Sequence, residues 1–429
     1  MNLLFWYQKV PLMSSFKELS DTRVLITGIS GFVGPHLASS LVNQGARVFG
    51  LVRRRSDGNI WRGVQELGLK DKISLIEGSV EDLTSLLNAI DKVEPDYVFH
   101  LAAQSFVERS FINPLETFHT NATGTTNMLE ALRIKDKIDA KFIFAGSSEE
   151  YGLVFSTEKQ LNSFLKRGRR IFPEPKRIPE LPITEDNPLR PLSPYAVSKV
   201  FGDFITRNYH TSYGMKTIVT RAFNHEGARR GVMFVTSTIT KQVVQLKYGE
   251  IQRILIGNLN AFRDWSHVED IVEGYVKVAQ KGIPGSVYNL GSERTNSVLT
   301  YLLWSLEQAG FKVNSLQTIH GSKQVKEPAL AVTINRFGKS FKASQVDELM
   351  LEDKLNFEVE DRGLIVESSR GKITVEFDSN RFRPADVPIL LSDITKASNE
   401  LGFKPKREIV QIIREQLNYF EDPQRRLAH

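Results

Sequence analysis

The sequence predicts a Rossmann-type α/β fold, a doubly wound parallel sheet with a smaller C-terminal α/β substrate domain. A β-rich run at 23–27 ends directly in a glycine-rich turn. Helical periodicity follows over 33–44, and a second β-rich run covers 47–52. Strand, helix and strand in this order form a βαβ unit, and repeated βαβ units build a parallel sheet.

The alternation continues along the chain. Strands are predicted at about 73–77, 97–101 and 141–145, and helices at about 81–91 and 115–133. Ligands of such sheets bind at the carboxyl ends of the strands. Each of the first motifs described below follows a strand end, so we expect one shared site there.

Composition narrows the class of protein. The chain has 429 residues, of which 41% are hydrophobic and 25% charged, as in ordinary globular proteins. The net charge of +6 suits an anionic partner. However, the basic residues are dispersed except in the run 166–170, without an aromatic-rich basic module. A phosphate-bearing small molecule satisfies the same charge, and we expect no nucleic-acid partner.

The sequence contains no cysteine, and its eight histidines show no spacing typical of metal ligands. Disulfides, thiolate chemistry and thiolate metal sites are therefore excluded, and no metal is predicted. The opening apolar run 1–7 lacks a basic start and a cleavage site. No window approaches the roughly 20 apolar residues of a membrane helix. We expect no membrane partner and a cytoplasmic location.

The glycine turn predicts a pyrophosphate site. Gly28 permits the tight turn, Gly31 lets backbone amides approach a pyrophosphate, and Gly34 lets the helix pack closely against the strand. The helix N-terminus adds partial positive charge. Phe32 and Val33, between these glycines, are assigned to the same cofactor site.

The end of the second strand predicts which cofactor binds. An acid that meets a free ribose 2′-hydroxyl is usual here, but this chain has Arg53, Arg54 and Arg55. Guanidinium groups pair with a 2′-phosphate, which favours NADP over NAD. A solvated basic loop is the alternative.

Tyr195 and Lys199 are four residues apart, so on a helix they share one face. The ammonium can then lower the pKa of the phenol and make it a usable base. An amphipathic helix with a solvent-reaching lysine is the alternative. The order along the chain, a glycine turn, then Ser147 and Glu149, then Tyr195 and Lys199, favours a redox enzyme.

These motifs resemble the extended short-chain dehydrogenase/reductases that act on nucleotide sugars, and among them the GDP-mannose 4,6-dehydratases. The resemblance runs from about residue 22 to 420. The Asn-His-Glu, Arg-Arg-Gly and Arg-Asp-Trp elements are far more specific than the glycine turn. The matching stretches are 101–105, 121–125, 147–152, 193–199, 223–226, 229–231, 257–259, 263–265 and 382–384.

The resemblance implies a redox-neutral dehydration that yields a 4-keto-6-deoxy sugar. Tyr195 would take the proton of the sugar 4-hydroxyl while hydride leaves C4, and Glu149 would remove the C5 proton and assist loss of the C6 hydroxyl. Ser147, where the family has threonine, would hydrogen-bond O4, and Lys199 would hold the nicotinamide ribose. Glu149 lies two residues past Ser147, so on an extended segment both side chains point to one side. A helix N-cap at Ser147 is the alternative.

The resemblance also implies binding residues for both ligands. A structural salt bridge is the alternative for Arg263 and for Arg383, and Asp386 stands where the family usually has glutamate. The implied cofactor residues are Ser79, Val80, Leu101, Ala102, Ala103 and Arg230, together with Tyr195 and Lys199. The implied substrate residues are Ser105, Asn224, Arg263, Arg383 and Asp386.

Several positions depart from the family pattern. Ser237 and Thr238 stand where the family carries basic residues, and Ser79 replaces an aspartate that normally meets the adenine. Both put the exact sugar nucleotide in doubt. Glu150 occupies a position that is usually apolar, and the sequence offers no functional interpretation of it.

The predicted domains are an N-terminal extension at 1–20, a mainly NADP-binding domain at 21–220 with an insertion at 154–184, and a mainly nucleotide-sugar-binding domain at 221–429. We expect their segments to interleave. The first insertion is interpreted as a lid or a disordered linker. A second insertion, 318–377, contains two β-rich runs around 369–371 that predict a β-hairpin.

Three functions stay open. A GDP-linked nucleotide-sugar substrate is favoured, with a dehydratase or 4-epimerase of another sugar nucleotide, such as GDP-heptose, as the alternative. Glu149 argues for elimination, because a simple 4-epimerase has no need of it. A non-catalytic NADP-binding protein would need none of the four catalytic side chains. By analogy with the family, a homodimer or homotetramer is expected, paired through the Tyr195 helices, with Arg-Arg-Gly loops that reach a neighbour's cofactor.

Overall fold

The computed structural model describes residues 19–54 and 62–427. Residues 1–18 of the predicted N-terminal extension and Arg55 of the arginine run lie outside the described residues. In chain order the strands are β1 (Arg23–Thr27), β2 (Arg47–Val52), β3 (Ser74–Glu77), β4 (Tyr97–His100), β5 (Lys141–Ala145), β6 (Thr217–Ala222), β7 (His225–Glu226), β8 (Arg253–Ile256), β9 (Phe262–Arg263), β10 (Ser266–His267), β11 (Val287–Leu290), β12 (Asn296–Ser297), β13 (Val313–Thr318), β14 (Gln324–Lys326), β15 (Ala331–Arg336), β16 (Lys339–Ser344), β17 (Gly363–Ser368) and β18 (Gly371–Phe377).

Helices alternate with the strands in the first half and cover the second sheet in the other half. They are α1 (Val33–Asn43), α2 (Arg62–Glu66), α3 (Leu83–Val93), α4 (Val107–Ile112), α5 (Pro114–Phe118), α6 (Gly124–Ile134), α7 (Glu158–Lys166), α8 (Pro194–Tyr213), α9 (Val235–Lys247), α10 (Val268–Lys281), α11 (Val298–Gln308), α12 (Gln345–Leu351), α13 (Thr395–Leu401), α14 (Ile409–Glu421) and α15 (Pro423–Leu427). A π-helical turn, His119–Thr123, joins α5 to α6, and single 3₁₀ turns occur at Ser148–Glu150, Val359–Asp361 and Ser379–Arg381.

The main sheet has seven parallel strands in the order β3-β2-β1-β4-β5-β6-β11. Its central strands are buried on both faces, as the continuous apolar runs of β1, β4 and β5 require. The predicted Rossmann-type fold is confirmed. Strand β11 lies past residue 220, so segments of both predicted domains contribute strands to this sheet. The division into domains stays a prediction.

A second sheet of five strands, in the order β14-β13-β17-β18-β8, lies in the later part of the chain. Strands β17 and β18 pair antiparallel, with Leu364 opposite Val375, which confirms the predicted hairpin. The hairpin continues the sheet through a parallel pairing of β18 with β8. The interior faces of β13, β17 and β18 pack in one core cluster with α9, α11 and α14.

Helix boundaries follow local capping. Helix α3 begins at Leu83 rather than at 81, because the Asp82 carboxylate accepts hydrogen bonds from the amides of Thr84 and Ser85. Insertion 154–184 contains α7 and has buried ends at Val154, Phe155 and Ile183. Within the described part of the chain, no helix is long and apolar enough to cross a membrane.

Candidate active site

A cavity of about 1380 Å³ opens at the carboxyl ends of β1, β4, β5 and β6. This is the end of a doubly wound sheet where ligands bind. The volume exceeds the usual few hundred to about 1,000 Å³ of a single ligand pocket, so two ligands fit. Predicted site residues on its wall are Gly28, Gly31, Phe32, Val33, Gly34, Arg53, Ser79, Val80, Leu101, Ala102, Ala103, Ser105, Ser147, Glu149, Tyr195, Lys199, Asn224, Arg230, Arg263, Arg383 and Asp386.

Arg54 and insertion 154–184 do not line the cavity. Arg54 is exposed and does not line the cavity, although Arg53 does. Successive residues after a strand end point in different directions, so only one of the two side chains faces inward. Insertion 154–184 contributes none of the lining residues, and its interpretation as a lid stays a prediction.

The glycine turn forms a cradle that larger residues would fill. Gly28 has a φ of 76°, and a Cβ there would lie 2.8 Å from the Leu101 carbonyl carbon. A Cβ on Gly34 would lie 2.5 Å from the Gly28 carbonyl oxygen. The backbone amides at the start of α1 therefore face the cavity with no side chain between them and a ligand, a geometry that suits a pyrophosphate.

Helix α8 places the predicted tyrosine and lysine. The Ser193 hydroxyl caps the helix by accepting a hydrogen bond from the Ala196 amide, 3.1 Å. Tyr195 and Lys199 lie on the buried face, with Lys199 Nζ 6.0 Å from the Tyr195 ring centroid. Lys199 Nζ also donates to the Ala145 carbonyl at the end of β5, 2.7 Å. This bond fixes the lysine beside the tyrosine.

Burial dominates the electrostatics of this pair. It raises the pKa of Tyr195, which the hydrogen bond with Ser147 and the charge of Arg230 oppose. It lowers the pKa of Lys199 to about 8, which the Glu150 carboxylate opposes. A lysine that titrates close to neutral pH can exchange protons during a reaction.

Ser147 and Glu149 do not lie on an extended segment, so that prediction is wrong. Residues Ser148–Glu150 form a 3₁₀ turn with Ser147 as its N-cap, the alternative that the sequence left open. The Ser147 hydroxyl accepts from the Glu149 amide, 3.2 Å. Both side chains still reach the cavity, because a 3₁₀ turn directly after β5 projects into the space above the strand end.

Glu149 interacts with charged residues from the later part of the chain. Burial raises the pKa of Glu149, while the charges of Arg263 and Arg383 lower it and that of Asp386 raises it. A raised pKa makes a carboxyl group more able to hold a proton and to return it. The geometry therefore brings a second acid/base group into the same cavity as Tyr195.

The arginines differ in how they are held. Arg263 donates to Asp386 Oδ1 at 2.7 Å and to the Val387 carbonyl at 2.6 Å, and its side chain is 7% exposed. Arg383 lies 3.8 Å from the same oxygen and is 29% exposed. The structural salt bridge describes Arg263 well. Arg383 keeps more of its guanidinium open to the cavity.

Asn224 and Arg230 each carry a buried polar atom that is outside any hydrogen bond of the described chain. Among the described residues, Asn224 Oδ1 and Arg230 Nε are buried without a hydrogen-bond partner. The Arg230 guanidinium stacks on Phe234 at 3.5 Å from the ring centroid and lies 3.4 Å from Glu226. The Glu226 contact is made by Arg230 Nε itself, so this atom has an ion-pair partner. Asn224 Oδ1 has no partner of this kind in the part of the chain that is described, and a bound ligand would supply one.

The π-helical turn positions one more motif. It directs Asn121 toward α8, where the amide donates to Ser198 Oγ at 2.9 Å. The same side chain bonds the Gln104 backbone twice, at 2.7 Å and 3.0 Å. Asn121 thereby ties the loop that follows β4 to the helix of Tyr195.

Sequence reasoning missed further cations on the cavity wall. Arg62, Arg229 and Arg425 line the cavity, and Tyr419 is flanked by Arg62 at 5.7 Å and Arg425 at 4.5 Å. The Arg-Arg-Gly motif contained a signal for Arg229. Arg62 and Arg425 sit on the short helices α2 and α15 and carry no motif. No cluster of three metal-ligating side chains occurs in the parts of the chain that the structure describes.

Comparison with known proteins identifies the family. A model described as the NAD dependent epimerase/dehydratase family matches residues 24–291, more than half of the chain. The chain belongs to this family. A second model, described as GDP-mannose 4,6 dehydratase, matches residues 338–416. The predicted recognition is confirmed.

Members of this epimerase/dehydratase family resemble the chain over nearly its whole length. It is 31% identical over 412 residues to the GDP-mannose 4,6-dehydratase of Sinorhizobium fredii, covering 94% of this chain and 98% of the relative. It is 30% identical over 400 residues to a GDP-mannose 4,6-dehydratase of Yersinia enterocolitica, covering 92% of each. Both shares exceed two thirds, so the likeness concerns whole chains.

Solved structures share the family fold. UDP-glucose 4-epimerase from Bifidobacterium longum, in complex with NAD⁺ and UDP, superposes with a TM-score of 0.65 at 22% identity, covering 93% of this chain and 98% of that one. RMD from Pseudomonas aeruginosa, complexed with NADPH, gives a TM-score of 0.62 at 21% identity, covering 94% and 99%. At these identities the likeness supports the fold alone.

We predict that Arg263 and Arg383 differ in their effect on stability. Arg263→Ala should lower the free energy of unfolding by about 3 kcal/mol, because it leaves the Asp386 charge without its short ion pair. Arg383→Ala should cost less than about 1 kcal/mol, because its contact is long and partly open to solvent. Urea denaturation of both variants measures the difference. Equal losses would contradict the assignment of Arg263 as the structural partner.

Proposed function

We propose that this enzyme catalyses the NADP-dependent dehydration of GDP-mannose to GDP-4-keto-6-deoxymannose. The observation that carries the proposal is the presence of Glu149 in one cavity with Tyr195 and Lys199. Oxidation at C4 needs only a tyrosine and a lysine, whereas elimination needs a second acid/base group. The names of the relatives in the epimerase/dehydratase family support the same reaction.

The residues have separate roles in this proposal. Tyr195 takes the 4-hydroxyl proton at its phenol oxygen, and Ser147 orients O4 through its hydroxyl. Lys199 holds the nicotinamide ribose and supplies positive charge beside Tyr195. Once C4 is a ketone, the C5 proton is acidic, and Glu149 removes it and returns a proton to the departing C6 hydroxyl. The sum is loss of one water with no net oxidation.

The residues present fit an NADP molecule. The Gly28 and Gly34 cradle leaves room for a pyrophosphate at the start of α1. Arg53, which follows β2 on the cavity wall, suits the 2′-phosphate, and Arg62 and Arg229 are further cations on the same wall. When bound, NADP⁺ would supply the hydride acceptor for C4, the hydride donor for C6 and a positive ring charge near Tyr195.

The nucleotide sugar would bind against the substrate domain. Asn224 offers an unpartnered amide oxygen, and Ser105 lies on the wall after β4. Of the two arginines, Arg383 is the main diphosphate partner in this proposal, because Arg263 is largely occupied by Asp386. Such an arginine can engage two phosphate oxygens at once.

A dehydratase of another sugar nucleotide is the second candidate. It is supported by Ser237 and Thr238, which stand at two positions where the family carries basic residues. Thr238 lines the cavity, and the Ser237 hydroxyl is used in a bond to the Arg230 carbonyl, 2.9 Å. Neither can replace a cation on a phosphate. A changed phosphate environment favours a changed substrate.

We also propose a homodimer, or a homotetramer built from it, located in the cytoplasm. The outer face of α8 carries exposed Val197, Phe201 and Phe204, between 40% and 53% exposed. Ile112 and Leu115, on α4 and α5 beside α8, are 71% and 83% exposed. An exposed apolar surface of this kind is typical of a protein interface. A two-fold axis would bury it against its own copy.

Cofactor choice is tested by mass spectrometry of denatured protein purified without added nucleotide. NADP(H) should be recovered from the parent and from Arg54→Ser, since Arg54 does not face the cavity. Arg53→Ser should weaken NADP binding by about 1–3 kcal/mol, the value of a charge-assisted hydrogen bond. Recovery of NAD alone from the parent would overturn the assignment.

The two acid/base residues should fail at different steps. Glu149→Gln should still reduce bound NADP⁺ when substrate is added but should form product on the order of a hundredfold to ten-thousandfold more slowly. Tyr195→Phe should block the first hydride transfer itself. Single-turnover absorbance of the reduced nicotinamide, together with product mass, separates the two.

Glu158→Gln, an exposed carboxylate on α7, is the control for these variants and should behave as the parent. Product formation by Glu149→Gln at the parent rate would remove Glu149 from the mechanism. The 4-epimerase alternative would then be the better account of the site.

The dimer surface is tested by sedimentation velocity. Phe204→Glu places a charge on the apolar face of α8 and should halve the mass of the parent assembly. Ile283→Glu, at a position that is 54% exposed on another surface, should leave the mass unchanged. A parent that sediments as a monomer, or a Phe204→Glu variant of parent mass, would show that α8 is not the interface.

A further inference from the structure

Glu150 is a wholly buried carboxylate beside the acid/base residues, and the mechanism above does not use it. Its side chain is 0% exposed. Oε1 accepts a hydrogen bond from the Ser147 amide at 2.7 Å, and Oε2 lies 3.3 Å from Arg221 Nε. Oε2 has no hydrogen-bond partner among the described residues. A buried carboxylate with one oxygen outside any hydrogen bond lowers the stability of the fold. Such a group in a native protein calls for an explanation, and a role in the site is one.

The first consequence of these contacts is local geometry. Glu150 and Ser147 close a capping box, in which each side chain binds the backbone of the other's end of the 3₁₀ turn. The turn between them carries Glu149. Gly146 leaves the space that the carboxylate needs, since a Cβ there would lie 2.5 Å from Glu150 Oε1. The direction of Ser147 and Glu149 therefore depends on Glu150.

The second consequence is electrostatic. Arg221 lies between two carboxylates, Glu150 and Asp203, and its distance to Asp203 is 2.9 Å. Asp203 sits one helical turn after Lys199 on α8, so two buried cations and two buried anions lie together. Removal of one anion leaves the group with an excess positive charge, which burial makes expensive.

We propose that Glu150 is a positioning residue of this active site, which locks the Ser147–Glu149 turn and supplies a buried negative charge to the group formed by Arg221, Asp203 and Lys199. The inference rests on the proposed function and deepens it, since it names a residue that acts on the acid/base residues without touching the substrate.

The effect of the Glu150 charge on Lys199 should be visible in the pH dependence of the reaction. Burial, and after it the charge of Asp203, raises the pKa of Glu150, so the negative charge is present mainly on the alkaline side. Burial lowers the pKa of Lys199 to about 8, and the Glu150 charge raises it. Without that charge Lys199 loses its proton at lower pH. The titratable and charged groups that face Glu150, Lys199 or Tyr195 are His100 on β4, Glu149 and Tyr151 at the 3₁₀ turn, Asp203 on α8, Arg221 on β6 and Arg230 after β7.

Glu150→Gln separates the charge from the cap, because the amide oxygen can still accept from the Ser147 amide. The holoenzyme is mixed with GDP-mannose, and the rate of NADP⁺ reduction is followed from pH 6 to 10. The alkaline limb should move to lower pH by about one unit, while the acid limb stays in place. Loss of the Glu150 charge also favours ionisation of Tyr195, which would increase the rate at high pH because ionised Tyr195 is the base. A decrease in rate at lower pH than in the parent therefore reports on Lys199.

Glu150→Leu removes the cap as well. Product formation should then fall by about tenfold to a hundredfold more than NADP⁺ reduction, because the turn that carries Glu149 loses its lock. Equal effects on both steps would contradict the locking role.

Glu180→Gln is the matched control. Glu180 is equally buried, accepts from the Phe155 amide at 3.0 Å and pairs with Arg190, but it does not line the cavity. This variant should lose stability and keep the pH profile of the parent. An identical shift in Glu180→Gln would mean that the profile reports stability.

A second measurement needs no substrate. Acetic anhydride acylates the uncharged amine of Lys199, and mass spectrometry follows the rate of this reaction as a function of pH. In Glu150→Gln the midpoint of this pH profile should move to lower pH by the same amount, about one unit. If the parent turns over no GDP-mannose, the proposed function fails while this readout still decides the role of Glu150. Unshifted acylation of Lys199 would overturn the inference, whatever the substrate is.

Discussion

The hydrogen bond from Lys199 Nζ to the Ala145 carbonyl, 2.7 Å long, joins the two segments that carry the proposed acid/base residues. Helix α8 presents Tyr195, and the end of β5 leads into the turn that presents Glu149. The hydrogen bond therefore ties the buried face of α8 to the end of β5. This contact helps to hold Tyr195 on α8 and Glu149 after β5 on the wall of one cavity.

The cost of this arrangement is a concentration of buried charge. Lys199, Arg221, Asp203 and Glu150 are each less than 5% exposed. Such a group is stable only if its charges balance and its donors are satisfied. Burial also raises the pKa of Glu150 and lowers the pKa of Lys199, so both pKa values move toward neutrality. Groups with such pKa values are typical of sites that transfer protons.

Much of the fold could be predicted from the sequence because its signals are local. The strands β1 to β5 and the helix α1 follow from apolar runs and from periodicity, and the hairpin of β17 and β18 follows from two β-rich runs around a glycine. The motifs after the strand ends met on one cavity wall because parallel strands end on the same side.

The remaining features depend on contacts that no local pattern carries. The Arg263–Asp386 pair joins residues 123 positions apart, and Arg62, Arg229 and Arg425 come from three distant segments. The 3₁₀ turn at Ser148–Glu150 was missed because one buried carboxylate, and not a residue period, holds it. Glu150 had no interpretation until its partner Arg221, on β6, was in place.

The most direct measurement is incubation of the enzyme with a panel of sugar nucleotides, followed by mass spectrometry. The account predicts that GDP-mannose loses one water and that the bound NADP is unchanged in redox state at the end of turnover. Conversion of a sugar nucleotide without change of mass would show epimerisation and contradict the account. Loss of water only from another sugar nucleotide would keep the chemistry but contradict the substrate.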